Sequence, residues 1–451
     1  MVRQPDWDAL EGTIAGEVIV PGAPAYEAAR KPEIARFHDV RPAAVVRCRT
    51  ATDVAETLGF ARGAGLPTAA RSGGHCFAGR STTTGVVVDV GPMRSVSVAD
   101  GVATVGAGTR LGDLYDALEQ DGRTIAGGCG PPVGIAGLTL GGGLGILGRR
   151  HGLASDQLLG ARVVLPDGRV VDCDDGHEAE LFWALRGAGA GLGVVVCSFA
   201  FRTLPAPDAT SFHLVWPYAD AAAVAGAWQE WAPDAPDELA ASLLITAGGD
   251  VDRPPRVNVF GAMLGSEAET SALLDDLTAR ASADPASART VHLPYRETKR
   301  HLAEHGPGEE ADDDAHPYSK SEFFARPLPA DAIAALVAHL GAGRVAGQSR
   351  ELDFTPWGGA YNRVRPDATA FVHREDRVLL KHAVTVGPGA TAAERDGARR
   401  WLERSWALAH PSGTGRAYQN FPDPDLADEA RAYHGANADR VARVRARYDS
   451  A

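Results

Sequence analysis

Three glycine-dense segments lie within the first 200 residues of this 451-residue chain: Ser72-Gly73-Gly74, Gly141-Gly142-Gly143-Leu144-Gly145, and Gly187-Ala188-Gly189-Ala190-Gly191-Leu192-Gly193. Glycine loses more backbone freedom on folding than any other residue. Such runs therefore mark places where the chain must adopt φ > 0 or let backbone approach another group closely. Successive exposed N–H groups in such turns form an anion-binding concavity. One cluster alone reads as a tight turn between strands. Three in one region point to a large, phosphate-bearing cofactor.

The sequence between the clusters is β-rich. Residues 44–48 read as a strand, 53–63 as a helix ended by Gly65, and 67–71 as a second strand. Residues 85–90 form an apolar strand, and 94–105 a hairpin around Asp100-Gly101. Residues 111–120 read as a helix, and 158–173 as a second hairpin around Pro166-Asp167-Gly168. Val194-Val195-Val196 closes the region as a buried strand. After Thr203 the character changes. Pro205 and Pro207 bracket a boundary, and the glycine clusters stop. Strand-like runs (212–216, 241–247, 256–264) then alternate with amphipathic helices (266–280, 330–340). That pattern predicts a sheet with helices on one face. Residues 305–317, with their acidic run, read as a surface loop, and 394–410 as a helix. The chain length suits two or three folding units. The divisions expected are 1–205 (core about 38–205), 206–395, and a segment 396–451 that returns to the first unit.

Composition removes several classes. An apolar share of 45% with 23% charged residues is globular and excludes a disordered or fibrous chain. The net charge of -13 argues against a nucleic-acid partner. Cys48, Cys76, Cys129, Cys173 and Cys197 are odd in number and lack any C-x-x-C, so neither a disulfide framework nor a zinc site is expected. The first residues, MVRQPDWDALEG, do not form a secretory signal, and the longest apolar stretch, 135–147, is too short to span a bilayer. A soluble, cytoplasmic protein with no membrane partner is expected. Gly143-Leu144-Gly145-Ile146-Leu147-Gly148 matches the G-x-G-x-x-G dinucleotide fingerprint, with Asp167 downstream, but no apolar strand leads into it. It reads as a chance match.

Arg71-Ser72-Gly73-Gly74-His75, the strand 86–90, and the run from Val133-Gly134-Ile135-Ala136-Gly137 to Gly145 resemble the FAD-linked oxidases of the berberine bridge enzyme-like group, in the vanillyl-alcohol oxidase superfamily. Tyr418-Gln419-Asn420-Phe421-Pro422-Asp423, Tyr433-His434-Gly435 and Arg447-Tyr448-Asp449 resemble that group's C-terminal signature. The resemblance covers residues 40–205 and 415–450. It implies an α+β fold: a PCMH-type FAD-binding domain plus a substrate domain with an antiparallel sheet flanked by helices. It implies FAD bonded covalently to His75, with Arg71 and the Ser72–Gly74 amides at the pyrophosphate. It extends cofactor contact to Gly79, Ser81, Val133, Gly134, Gly137, Gly142, Gly145, Gly193, Val195, Tyr418 and Asn420. Many members add a link from a cysteine to flavin C6. Anchored on Val133-Gly134, that cysteine falls on Gly130, one residue after Cys129, so a second link through Cys129 stays open.

The same resemblance makes Tyr418 the catalytic base. A phenol's ordinary pKa is ~10, so Tyr418 needs a helper. Tyr361, after Trp357-Gly358-Gly359, stands where relatives place a second active-site side chain. Where some relatives have a glutamate, this chain has Asn362 or Arg363. The implied reaction is hydride removal from a small-molecule alcohol or amine, with O2 as acceptor and H2O2 as product. Three alternatives stand beside it: a flavin dehydrogenase with another acceptor, a nicotinamide-dependent dehydrogenase, and a flavin-sequestering protein. Phe212, Trp216, Phe260, Phe323, Phe324, Phe354 and Trp357 permit an apolar ligand but suit a core equally well. Substrate identity and oligomeric state are left open by the sequence.

Overall fold

The structure is a computed structural model describing residues 5–305 and 314–449. Most of the acidic run expected as a loop, residues 306–313, lies outside the described residues. Three strands, Ala44–Arg47, Val86–Asp89 and Thr68–Arg71, pair in parallel, and Glu17–Ile19 adds an antiparallel edge. The helix Ala51–Gly63 makes the crossover between the first two parallel strands in sequence. It starts at a capping box in which Thr50 accepts from Asp53 N and the Asp53 carboxylate reaches back to the cap.

A five-stranded antiparallel sheet packs beside it, in the order Val96–Ala99, Val102–Gly106, Val195–Arg202, Leu158–Val164, Val170–Cys173. The first hairpin turns at Asp100 and Gly101, with φ of 50° and 77°, the paired left-handed conformations that match strand twist. Val86 and Val88 of the first sheet and Val105, Val163 and Phe199 of the second share one core with Leu114, Leu118 and Phe182 from two helices.

The third sheet is antiparallel and seven-stranded: Ser287–Pro294, Asp208–Pro217, Arg256–Met263, Leu239–Ala247, Gln348–Pro356, Val378–Val386, His316–Phe324. Alternate residues such as Leu239, Ala241, Leu243 and Ile245 face a layer built from the helices Ala221–Trp231, Glu267–Ala281, Ala330–Gly341 and Ala392–Ala409. Two features differ from expectation. Helix Ala392–Ala409 places Ala398, Trp401 and Leu402 in this core, so a division at residue 395 cuts it from the sheet it covers. Helix Tyr295–His305 lies on the opposite face, where Leu302 packs with Leu244 and Phe260. Its polar sequence hid that burial.

The tail returns across the first unit. Arg440 pairs with Glu180 at 2.7 Å, the Tyr448 hydroxyl donates to Glu178 at 2.6 Å, and Val444 and Tyr448 join the first core. Among the described residues no helix is long and apolar enough to cross a membrane.

His382 is fully buried on the helix side of the third sheet, with Nδ1 2.9 Å from Ser405 Oγ. Burial, aided by His339 and Lys320, pushes its pKa down to about 3. In the unfolded chain it returns to ~6.5. Its contribution to stability is therefore complete above pH ~6.5 and is lost as pH falls towards the folded value. At pH 5 the loss reaches about 2 kcal/mol. The thermal unfolding midpoint of His382→Leu is expected to fall less than wild type between pH 7 and 5; parallel declines would remove His382 from that role.

Candidate active site

The carboxyl ends of the three parallel strands open into a cavity of about 530 Å³. Ligands of parallel sheets gather at such ends because the outgoing loops diverge there. Its walls include Ser72, Gly73 and Gly74 after one strand, Arg47 and Arg49 after another, and Gly91, Pro92 and Arg94 after the third. Lys31, Arg71 and Arg110 also line it, against Glu17, Glu33 and Asp89. The cationic excess suits a pyrophosphate. Sequence reading missed Lys31, Arg47, Arg49, Arg94 and Arg110. Arg47, Arg49 and Arg94 stand at or shortly after the ends of apolar strands, which was the available signal, whereas Lys31 and Arg110 flank helices.

Arg71 acts differently from expectation. Its guanidinium donates to the carbonyls of Ala29 and Arg30 and pairs with Asp89 at 3.1 Å. Asp89 offsets its charge, so Arg71 builds the loop rather than supplying free charge to an anion. Ser72 Oγ donates to Ala107 O at 2.7 Å. Gly73 and Gly134 touch backbone to backbone: a Cβ on Gly73 would stand 2.3 Å from Gly134 N. Val133 precedes that contact and caps the neighbouring helix start through Leu111 N. Gly79 lies under the Phe37 ring, and buried Ser81 reaches Gly74 O at 3.5 Å. Gly137 has open space beside it.

His75 ends the cavity loop. Its Nε2 is buried without a partner, and burial lowers its pKa, keeping the imidazole neutral with a free lone pair. A neutral nucleophilic nitrogen without a protein partner, beside a basic cradle of glycine amides, fits FAD held through this histidine.

Gly142, Gly145, Tyr361, Tyr418 and Asn420 form a second group. The Tyr418 oxygen accepts from Gly143 N and Leu144 N, each at 3.2 Å, and from Asn420 Nδ2 at 3.0 Å. Burial raises the phenol's pKa, and these donors oppose that rise. The Tyr418 ring is enclosed by Phe323, Trp357, Phe371 and Phe421. Tyr361 donates to Gly145 O at 3.1 Å and stacks on Trp357 at 4.4 Å. Burial drives its pKa well above the ordinary value. Tyr361 is thus an anchor of the glycine loop and not a second reacting side chain. Gly142 lies beneath Phe371. Asn362 donates to Asp376 O, and Arg363 pairs with Asp237 at the surface. Neither joins the site. Val195 packs in the first core, with Gly193 in the turn before it.

Cys129 packs instead on the inner face of the third sheet, with Leu244 and Phe260. Leu244 is the cross-strand neighbour of Asp353, and Asp353 of Lys381. Lys381 lies 3.4 Å from Asp353 and 3.6 Å from Glu351, with its Nζ 5.3 Å above the Phe421 ring. Burial disfavours the ammonium, but the two carboxylates outweigh it and raise its pKa. Sequence reading missed this cluster. Glu351 and Asp353 alternate with apolar residues in a strand covered on both faces, and that alternation was the signal. The fingerprint Gly143–Gly148 follows the helix Ile135–Leu140 and no strand, so the context of a nicotinamide site is missing.

A basic cradle at parallel strand ends, a histidine whose Nε2 is free of protein partners and a facing sheet with a partly buried charged cluster together define a flavin-dependent oxidoreductase. Residues 42–174 match the FAD binding domain model, and 417–451 the berberine and berberine like model. The chain is 30% identical to an uncharacterised FAD-linked oxidoreductase of Bacillus subtilis (strain 168), over 97% of this chain and 96% of that one. It is 31% identical to chitooligosaccharide oxidase of Gibberella zeae, over 90% and 85%. The solved glucooligosaccharide oxidase from Acremonium strictum, described with a 6-S-cysteinyl, 8α-N1-histidyl FAD, superposes with a TM-score of 0.86 at 25% identity, covering 98% of this chain and 96% of that one. The chain belongs to the berberine bridge enzyme-like family of FAD-linked oxidoreductases and has its PCMH-type FAD-binding fold.

A Cβ on Gly145 would stand 2.1 Å from Gly127 O, a backbone atom that cannot swing aside. Gly145→Ala is expected to cost about 1–3 kcal/mol by overpacking and to lower the ratio of flavin to protein absorbance. A wild-type melting midpoint and flavin content would show that the two segments part freely.

Proposed function

We propose that this enzyme is an oxidase of a small-molecule alcohol or amine, with FAD held covalently through His75 and dioxygen as electron acceptor. The observation that carries the reading is the buried Lys381–Asp353–Glu351 cluster on the sheet face that also packs Cys129 and meets the tail at Phe421. When bound, the flavin would accept hydride and pass two electrons to dioxygen, yielding hydrogen peroxide. The chain's residues bind, orient and move the proton. Asp353, 3.4 Å from the Lys381 ammonium, accepts the proton of the substrate hydroxyl or amine. Glu351 and Lys381 hold the substrate's polar groups, and Leu244 and Phe260 keep water out.

Tyr418 suits a different task. Its oxygen accepts from Gly143 N, Leu144 N and Asn420 Nδ2 and its ring is walled by four aromatic side chains, so it fixes the Gly143–Leu144 backbone against the tail. The name of the fungal relative, an oxidase of chitooligosaccharides, supports an alcohol substrate. The solved bicovalent relative supports attachment through His75 and brings Cys129 into question as a second link.

Two measurements test this. Acid-precipitated wild-type protein is expected to stay yellow, with flavin mass on the His75 peptide, whereas His75→Ala gives a colourless pellet. A colourless wild-type pellet would end the covalent reading.

Stopped-flow reduction separates the proton acceptors. Asp353→Asn is expected to slow flavin reduction about 10²–10⁴-fold with flavin content unchanged. Tyr418→Phe should chiefly lower flavin content and stability. The reverse pattern would return the base role to Tyr418. Oxygen uptake on substrate addition distinguishes an oxidase from a dehydrogenase.

A further inference from the structure

Lys299 is 1% exposed, in the helix Tyr295–His305 between the third sheet and the first unit. Its Nζ donates to Gly127 O, to Gly128 O at 2.9 Å and to the Tyr115 hydroxyl at 3.2 Å, and lies 4.4 Å from the Tyr115 ring centroid. Those bonds go to carbonyls and a phenol, not to a carboxylate. Burying an ammonium without a counter-ion is costly, and burial pulls its pKa down. A methionine of similar length would fill the same space without that cost, so the nitrogen itself must matter.

Its partners indicate how. The Tyr115 hydroxyl also donates to Gly128 O at 2.8 Å, so two side chains converge on one carbonyl. Cys129 is the next residue, packed on the face that carries Asp353 two strands from Phe260. The helix bearing Lys299 is fixed in turn to the helix Leu111–Glu119 through Arg296 and Asp116 at 2.6 Å. Gly127 O takes its side-chain bond from Lys299, and Gly128 O takes bonds from Lys299 and Tyr115.

We propose that Lys299 is a positioning residue: its ammonium, bound to the Gly127 and Gly128 carbonyls, fixes where Cys129 presents its sulfur. The inference builds on the proposed FAD site but concerns the thiol, which can be read separately.

The test uses the purified holoenzyme as wild type, Lys299→Met and Tyr115→Phe. Peptide mass spectrometry locates flavin on the Cys129 and His75 peptides. Wherever Cys129 is free, its alkylation by iodoacetamide is followed from pH 6 to 10 before denaturation. The His75 peptide of the same sample reports on folding. Lys299→Met is expected to abolish flavin on Cys129 or, where Cys129 is free, to slow its alkylation about tenfold as the sulfur leaves its set position. Tyr115→Phe should shift both in the same direction by less. A free wild-type Cys129 whose alkylation still depends on Lys299 upholds the positioning role and removes only the second link. Unchanged Cys129 flavin and an unchanged alkylation profile in Lys299→Met, with flavin on His75 intact, would overturn the inference and leave the FAD reading standing.

Discussion

The contact between bare backbones at the centre of the molecule governs the rest of it. Gly145 lies against the Gly127 carbonyl, and Gly73 against Gly134, at separations that admit no Cβ. Every other part of the site is arranged around those contacts. Tyr418 and Tyr361 hold the 143–145 segment from the tail and the third sheet, while Lys299 and Tyr115 hold the 127–128 segment from the other side. Glycine accounts for the closeness, and side-chain donors from remote parts of the chain account for the fixity. This division suits a site that must present backbone N–H groups at set positions.

The cations divide into two populations. Arg71, Arg149 and Lys299 are buried and spend their N–H groups on main-chain carbonyls: Arg149 alone binds those of Pro233, Ala235 and Trp357. Arg374 is fully buried and held bidentately by Asp156 at 2.7 and 2.8 Å. These groups join loops of different units, a use for which the planar guanidinium is suited. The other cations lining the strand-end cavity are more exposed, Arg47 pairing with Glu17 at 3.3 Å and Arg110 with Glu33 at 3.0 Å. Only that second population bears on an anionic ligand, and residue type alone does not separate the two.

That distinction explains what was legible in the sequence. The strand–helix–strand beginning, both hairpins and the helices 267–281 and 330–341 were readable because turn dipeptides and apolar spacing act locally. The tail motif was readable as a motif. The partners of each glycine were not. Gly73, Gly134, Gly142 and Gly145 face protein, and Gly137 faces open space, yet all carry the same hydrogen for a side chain. The allegiance of helix 392–409 depends on long-range packing of Trp401 and Leu402, which no local pattern encodes. Glu351 and Asp353 were hidden because their clean alternation with Leu352 and Phe354 reads as a wet face, whereas that face is covered by the rest of the chain. Tyr361 and Tyr418 were found, but the main-chain partners of their hydroxyls lie more than 200 residues away.

The returning tail has a consequence for how the protein is made. Tyr418, Asn420, Arg440 and Tyr448 brace structures whose own residues were synthesised more than 200 positions earlier. The parallel sheet and its cradle emerge from the ribosome first and can begin to fold as a unit. The 143–145 segment, however, lacks its Tyr418 acceptor until the tail has emerged. Translation thus sets a timetable in which nascent chains can bind the dinucleotide end of a cofactor well before the reactive end has a finished wall to rest against.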